Sequence, residues 1–423
     1  MPTFPTIFLG ASLLALLGLA PCAGAQEGGD AVVALELGEA QALALEHQPL
    51  LEAEQAAVRA ARESAVAAAQ LPDPQLSFEV RDLPVNGDDA GSFTRDSDTQ
   101  TMLGINQEFP AGDTRRLRGE RGSREAELAG QLLLMRRLEL RRDAGLAWVD
   151  VWKTVEALEL VRKTQQEAEL QLESATIAHS TGRASQAEVL AARVDLDLVR
   201  DQLAELRQQE SHTRSSLSRW IVDDAWRPLR PDLPEWGPAP ELATLLDRLG
   251  NHPHLGTEAR RVAVAAMDVE LARQAYKTGW RVGVSYGYRP SFPEMVSVQV
   301  GMDLPLFTGK RQDRNLAAKL AQQEQAEQQR TDALRQHTAD ARLNSADWLA
   351  LQERLNLFDQ QILPQSEQRV AAAMASWQNG QATLDSVLDA RRMALEYRLK
   401  RLELQADAAK HRLNLQYLAG ESS

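Results

Sequence analysis

Apolar and polar residues alternate in four short runs, while almost everywhere else the apolar positions recur in helical steps. In Arg281–Arg289, Val282, Val284, Tyr286 and Tyr288 fall on one side, with Gly283, Ser285 and Gly287 on the other. The next run, 296–305, sets Val296, Val298, Val300, Met302 and Leu304 opposite Ser297, Gln299, Gly301 and Asp303. Earlier in the chain, 75–82 sets Leu76, Phe78 and Val80 opposite Ser77, Glu79 and Arg81, and 101–109 aligns Leu103, Ile105 and Phe109. A period of two describes a strand with one apolar face. Aromatics (Tyr276, Trp280, Phe292) stand near the ends of the second pair. This pattern suits a lipid-spanning strand facing an aqueous lumen; a half-buried hairpin in a soluble domain alternates likewise.

The helical pattern is unusually long. From about 310 to 376 nearly every residue is a good helix former, with no Gly and one Pro, Pro364. The run breaks at "WQNGQATLD", where Asn379-Gly380 supplies a left-handed terminus and Thr383 can cap a return helix over 383–418. At ~1.5 Å per residue the outgoing helix measures roughly 100 Å, several times the width of an ordinary domain. With narrow apolar stripes and much Ala, it must lie against other long helices.

The same object occurs earlier. "EFPAGDTRR" echoes "PLFTGKRQ", with Gly112 matching Gly309; "HSTGRASQAEVLAARVDLD" echoes "WQNGQATLDSVLDARRMAL", with Gly182 matching Gly380. "RSSLSRWIV" echoes "HRLNLQYLA", and "HQPLL" at His47 pairs with "NHPHL" at Asn251. These pairs describe a tandem duplication of about 200 residues. The first repeat spans 26–222, with a long helix over 112–178 and a return helix over 185–221. A Pro- and Trp-rich linker at 223–240 leads to the second, 241–423. A helix over about 38–70 precedes the first strands. Its length and that of the return helix together match the long helix, so two short helices can stack end to end beside one unbroken one in each repeat.

Composition narrows the function. A net charge of −13 argues against nucleic acid, whose binders carry basic patches. At 43% hydrophobic and 5% aromatic residues, the chain suits helices sharing thin interfaces rather than one thick core. Ile7–Ala20 is apolar but too short to span a bilayer. It leads to Ala23 and Ala25, the small-residue positions of an export-signal cleavage site, so 1–25 reads as a signal peptide. Cys22 is the only cysteine; its setting, "LAPC", is also compatible with lipidation, and if it leaves with the signal no thiol chemistry remains. No catalytic motif, phosphate loop or metal-binding spacing is present, so no enzyme, cofactor or metal site is expected. His252 and His254 in "NHPHL" could suggest a metal site, but a cap at a helix start is the plainer reading. Trp148 and Trp152 share a helix face and read as packing. If the strands span a membrane, four cannot close a barrel and an open edge cannot sit in lipid, so several chains must share one.

Taken together, the duplicated helix–strand–strand–helix–turn–helix unit, "FPAG/LFTG" after each hairpin, "ILPQSEQ" and "NGQATLDSVLDA" resemble the TolC family of outer-membrane efflux channels. Within it the chain is most similar to the heavy-metal (cobalt–zinc–cadmium or copper–silver) branch. The resemblance implies a mainly α fold with a small antiparallel β part. The tandem long hairpins form an α-barrel, and four strands per chain contribute to a trimeric transmembrane β-barrel. It implies a homotrimer in outer-membrane lipid, working with a periplasmic adaptor and an inner-membrane pump of the resistance–nodulation–division class. The adaptor would meet two tips: His179, Ser180, Thr181, Gly182, Arg183, Ala184 and Ser185, and Trp377, Gln378, Asn379, Gly380, Gln381, Ala382 and Thr383. Asp389 matches a lumen-facing acid of the family's closed aperture. Ser386 stands where many members have another acid, with Asp385 displaced by one residue and Glu188 at the equivalent place in the first repeat. A soluble periplasmic coiled-coil adaptor or scaffold is the alternative; it accounts for the hairpins but not for the strands.

Overall fold

The computed structural model describes residues 34–46, 48–290 and 292–420; the signal reading of 1–25, with Cys22, and His47 lie outside them. In chain order the elements are α1 (Leu37–Glu46), α2 (Pro49–Ala68), β1 (Gln75–Arg81), β2 (Gln100–Phe109), α3 (Thr114–Ser180) and α4 (Gln186–Ile221). There follow α5 (Leu242–Arg248), α6 (Pro253–Gln274), β3 (Trp280–Tyr288), β4 (Met295–Met302) and α7 (Gln312–Leu357). A π-helical segment, Phe358–Ile362, leads into α8 (Leu363–Gln378), and α9 (Leu384–Ala419) ends the described chain.

The four strands form one antiparallel sheet in the order β1-β2-β3-β4. Its register aligns the apolar positions of all four strands. Leu76 pairs with Ile105, Ile105 with Val284 and Val284 with Val298, while Phe78, Leu103, Tyr286 and Val296 form a second row. A third row, Phe109–Trp280–Met302, lies at the end nearest the helices. The opposite face is mostly polar and small: Ser77, Gly104, Ser285 and Ser297 form one row, and Asn106, Gly283 and Gln299 the next, with Met102 and Met295 its apolar members in the row of Glu79 and Gly287. The apolar face is open, with Leu76 76% and Val298 68% exposed. Strands β1 and β4 each leave one edge without a partner among the described residues.

Helix α3 runs 67 residues without a break, about 100 Å at the usual rise. Helices α1 and α2 lie along its first part and α4 along the rest. The close approach of α2 is set by small residues: a Cβ on Gly122 would stand 2.6 Å from the Ala65 Cα, and one on Gly119 2.9 Å from the Ala69 Cβ. The second hairpin repeats this with α6 and α9 against the α7–α8 rod. Asp268 of α6 takes ion pairs from Arg121 of α3 and Lys319 of α7, so α6 sits between the two rods near their sheet-proximal ends.

The main core lies near mid-height of the helices, around a fully buried Trp148. Its indole donates to the Leu35 carbonyl at 3.2 Å, and that of Trp152 to the Pro231 carbonyl at 2.7 Å, so both tryptophans pack as expected. The linker crosses this level in extended form. Leu35 and Leu229 make a parallel bridge, Arg214 reaches the carbonyls of Ala225 and Arg227, and Leu229, Leu233 and Trp236 cover the core.

Three features depart from the sequence-based expectation. The helix expected over 38–70 is interrupted: Gln48 is extended and Pro49 occupies the first turn of α2, where its missing N–H costs nothing. Strand β4 ends at Met302 rather than 305: the Asp303 N–H makes one last rung to the Gly279 carbonyl, and the chain then turns, the Leu306 N–H donating to the Leu304 carbonyl. The helix expected over 310–376 holds the π segment just ahead of Pro364, which lacks the N–H that a regular ladder would use there.

Candidate functional site

At the far end from the sheet, both rods reverse with the same geometry. Gly182 (φ +73°) and Gly380 (φ +72°) take the left-handed conformation. Gly182 N–H donates to the His179 carbonyl and Arg183 N–H to that of Ala178; Gly380 and Gln381 donate in the same way to Trp377 and Ser376. This closes the last carbonyls of each helix as a glycine C-terminal motif does. Space around both glycines is open, so only backbone conformation restricts them. His179, Ser180, Thr181, Gly182, Arg183 and Ser185 are exposed, as are Gln378, Asn379, Gly380, Gln381 and Thr383, whereas Ala184, Trp377 and Ala382 are half-buried.

The return helices start differently. Ser185 and Glu188 form a reciprocal capping box on α4: the Ser185 hydroxyl accepts from Glu188 N–H at 3.3 Å and the Glu188 carboxylate accepts from Ser185 N–H at 2.7 Å. Thr383 occupies the cap position of α9 with an extended backbone, but its side chain makes no cap bond. The other carboxylate oxygen of Glu188 accepts from Leu384 N–H at 3.3 Å, so the acid of the first tip caps the helix of the second. Hydrogen bonds from Ser185 and Leu384 hold its carboxyl below the usual range, against partial desolvation. Beneath this bond Ala175, Val189 and Ala192 pack with Leu384, Val387 and Leu388, and Met374 and Trp377 cover them. Glu188 therefore ties the two tips together rather than standing as a free charge beside Asp389.

Asp385 is exposed in the first turn of α9, favourable for an acid at a helix N-terminus. Asp389, 64% exposed, lies about 6 Å further along. Arg392 reaches its carboxylate at 3.4 Å and that of Asp195 on α4 at the same distance, while Arg391 donates to the Glu167 carbonyl of α3. A cavity of about 230 Å³ between α3, α4 and α9 opens here, lined by Glu167, Asp195, Arg391, Arg392 and Leu395. Arg392 stands at i+3 from Asp389 and was readable from that spacing, whereas the reach of Arg391 to α3 was not.

Near mid-height three histidines meet. His252 caps α6, its Nδ1 accepting from the His254 N–H at 3.2 Å, and its Nε2 lies 3.0 Å from the Tyr417 carbonyl. His254 Nδ1 and His337 Nε2 share a hydrogen bond of 2.7 Å. Burial and the neighbouring His337 push the His252 imidazole down to about 4; burial and His254 lower His337. With both nitrogens of His252 committed, the cap reading holds. Among the described residues no group of three His, Cys, Asp or Glu is arranged to hold a metal ion.

The polar face of the sheet is kept clear by glycine. A Cβ on Gly283 would stand 2.2 Å from the Asn106 Oδ1, and one on Gly287 2.6 Å from the Gln100 Oε1. Asn106 donates to Ser77 at 3.3 Å, so the polar side chains lie flat along the surface. No helix among the described residues is long and apolar enough to cross a membrane, and such a measure says nothing about strands.

Comparison with known proteins gives a consistent answer. The model of a family described as outer membrane efflux protein matches residues 41–221 and 247–421. No curated protein matches the chain. Among solved structures, VceC from Vibrio cholerae is 20% identical with a TM-score of 0.77, over 91% of this chain and 96% of that one. CusC, solved in a study of folding and transmembrane channel formation, gives 15% and 0.77 over 92% and 93%. The open state of the MtrE channel of Neisseria gonorrhoeae gives 16% and 0.72 over 91% and 89%. At these identities the likeness is one of fold: long helical hairpins carrying a small sheet, the chain's share of a helical barrel and a β-barrel.

Proposed function

This chain belongs to the outer membrane efflux protein family, and we propose from that premise that it is the passive outer-membrane duct of a tripartite efflux system. The observation that carries the reading is the sheet register. Four strands share one continuous apolar face and one mostly small, polar face, and the sheet is joined to rods about 100 Å long. An apolar face open to water would be a liability in a soluble protein, whereas lipid suits it. The free edges of β1 and β4 cannot remain unpaired in lipid, so three copies close one barrel and their rods continue it as a tunnel.

The chain's own chemistry is to line a path. Ser77, Asn106, Ser285, Ser297 and Gln299 would wet the barrel interior, and the glycines beside them keep it wide. An inner-membrane pump of the resistance–nodulation–division class supplies the energy, and a periplasmic adaptor docks on the tips at 179–185 and 377–383. Copies of Asp389 and Asp385, repeated by the trimer axis, would form the charged constriction near those tips. Heavy-metal cations are the cargo favoured by the likeness of "LFTG", "ILPQSEQ" and "NGQATLDSVLDA" to the heavy-metal branch. The cations pass through and need no resident site.

Fractionation and native mass spectrometry test this. The expected result is recovery with detergent-extracted outer membrane as a trimer that conducts ions in planar bilayers, with metal sensitivity on deletion. Recovery from the soluble periplasm as a monomer would favour the adaptor or scaffold reading instead.

A further inference from the structure

The junction between sheet and helices carries charge opposite to that of the chain as a whole. The protein has a net charge of −13, yet α3 opens with Arg115, Arg116 and Arg118, and Lys310, Arg311 and Arg314 surround the start of α7. Of the acids nearby, Asp113 faces Arg116 at 3.6 Å and Lys277 at 3.9 Å, and Asp313 accepts from the Tyr276 hydroxyl at 2.7 Å, while Glu108 and Asp303 line one cavity with Lys277, Arg281 and Arg311; the cations outnumber these acids. Arg115, Arg118, Lys310, Arg311 and Arg314 are exposed, and no side-chain hydrogen bond or ion pair holds them among the described residues. Cations in the first turn of a helix oppose its dipole, so Arg115 and Arg116 work against the stability of α3. The same position attracts an anion, because free N–H groups and side-chain cations then act together.

The adjoining surface says what kind of anion. These cations lie just beyond the Phe109–Trp280–Met302 row that ends the apolar face. Between that row and Lys310 the chain exposes Leu304 (57%), Leu306 (72%) and Phe307 (90%). The descent from strand to helix is thus apolar band, exposed apolar loop, then unpaired cations, which is the profile of acyl chains followed by phosphates. The opposite end of the sheet has the reverse sign, its loop at 82–99 holding Asp82, Asp88, Asp89, Asp96 and Asp98 against Arg95.

Resting on the membrane reading above, we propose that this junction is a docking surface for anionic phospholipid headgroups of the leaflet nearest the helices. Arg115, Arg118, Lys310, Arg311 and Arg314 would take the phosphates, and Leu304, Leu306 and Phe307 would enter the acyl layer. The collar would fix the depth and direction of the sheet in the bilayer.

The test reconstitutes the trimer in vesicles of phosphatidylethanolamine and phosphatidylglycerol and measures co-purifying lipid by mass spectrometry. Wild type should retain phosphatidylglycerol above its share in the bilayer. In the variant with all five cations changed to Gln, enrichment should fall roughly tenfold, while a variant with the four arginines changed to Lys should keep it. On wild type alone, raising the salt should erode enrichment, since exposed charges are screened. Absence of enrichment in wild type, enrichment insensitive to salt, or equal enrichment in the Gln variant would overturn the proposal. A chain that inserts yet shows no preference refutes the collar alone, whereas one that never enters vesicles refutes the membrane reading beneath it.

Discussion

Acidification should loosen the first turn of α6. His252 is 2% exposed, and its imidazole is pushed from 6.5 down to about 4 by burial and by the neighbouring His337. His254, Arg142 and the Tyr417 ring also face it, and none supplies a carboxylate. A depressed histidine is neutral when folded and takes up a proton when it opens. The open form therefore binds more protons between the two values, and stability falls as pH drops through 6.5, levelling off below about 4. From pH 7.5 to 4.5 the loss is about 2.5 kcal/mol, at ~1.36 kcal/mol per unit, or roughly 70-fold in the opening equilibrium. Burial lowers His337 as well, which adds to the loss in the same direction. The Gly256 N–H donates to the His252 carbonyl at 2.9 Å, so its hydrogen exchange, corrected for intrinsic rate, reports the opening. His252→Asn keeps a cap acceptor and removes the titrating ring, and should flatten the dependence several-fold. An equal fall in protection in wild type and His252→Asn would refute the reasoning.

Three further outcomes are expected. Gly380→Val forces a β-branched residue to φ +72°, at about 1–2 kcal/mol; it should impair adaptor docking and resistance while trimers still form, and unchanged resistance at normal protein level would count against the turn as a docking tip. Asp389→Asn with Asp385→Asn should lower cation selectivity and weaken trivalent-cation block in bilayers, while Arg392→Gln, which frees Asp389 of its 3.4 Å partner, should raise selectivity; reversal potentials matching wild type in all of these would place the acids away from the conduction path. Gly122→Val must push α2 off α3 and should cost at least about 2 kcal/mol, whereas Gly130→Ala, with open space around its Cα, should be neutral or stabilising by up to ~1 kcal/mol; thermal unfolding in mild detergent compares them, and equal midpoints would remove the close helix contact from the account.

What could be read in the sequence was whatever depends on local period. Alternation located the strands to within a few residues, since a one-residue slip would turn every apolar side chain to the wrong face. Asn379-Gly380 and Gly182 located the tips because a left-handed residue has few chemical solutions. Less legible was anything set by a neighbour distant in sequence. The bond from Leu384 N–H to Glu188 depends on two tips lying side by side, so an acid that looked available for an aperture is spent on a cap. The bond from Arg392 to Asp195 needed α4 beside α9, and His337 joins His252 and His254 only because α6 packs on α7. Pro49 could have been read as a break, but good helix formers on both sides concealed it.

The π segment at Phe358–Ile362 makes the two hairpins mechanically unequal. Rod α3 has an uninterrupted ladder, while its counterpart carries a widened turn followed by Pro364, so one strut is stiff and the other has a joint partway along. Across that joint Asp359 holds Arg401 and Glu367 holds Arg398, both exposed pairs that part at little energetic cost. A sideways load on the tips would therefore be relieved first at this joint, and because Glu188 and the apolar cluster beneath it join the two tips, the first tip would be drawn along. In the proposed trimer each chain would yield at one such joint, with both of its tips moving together.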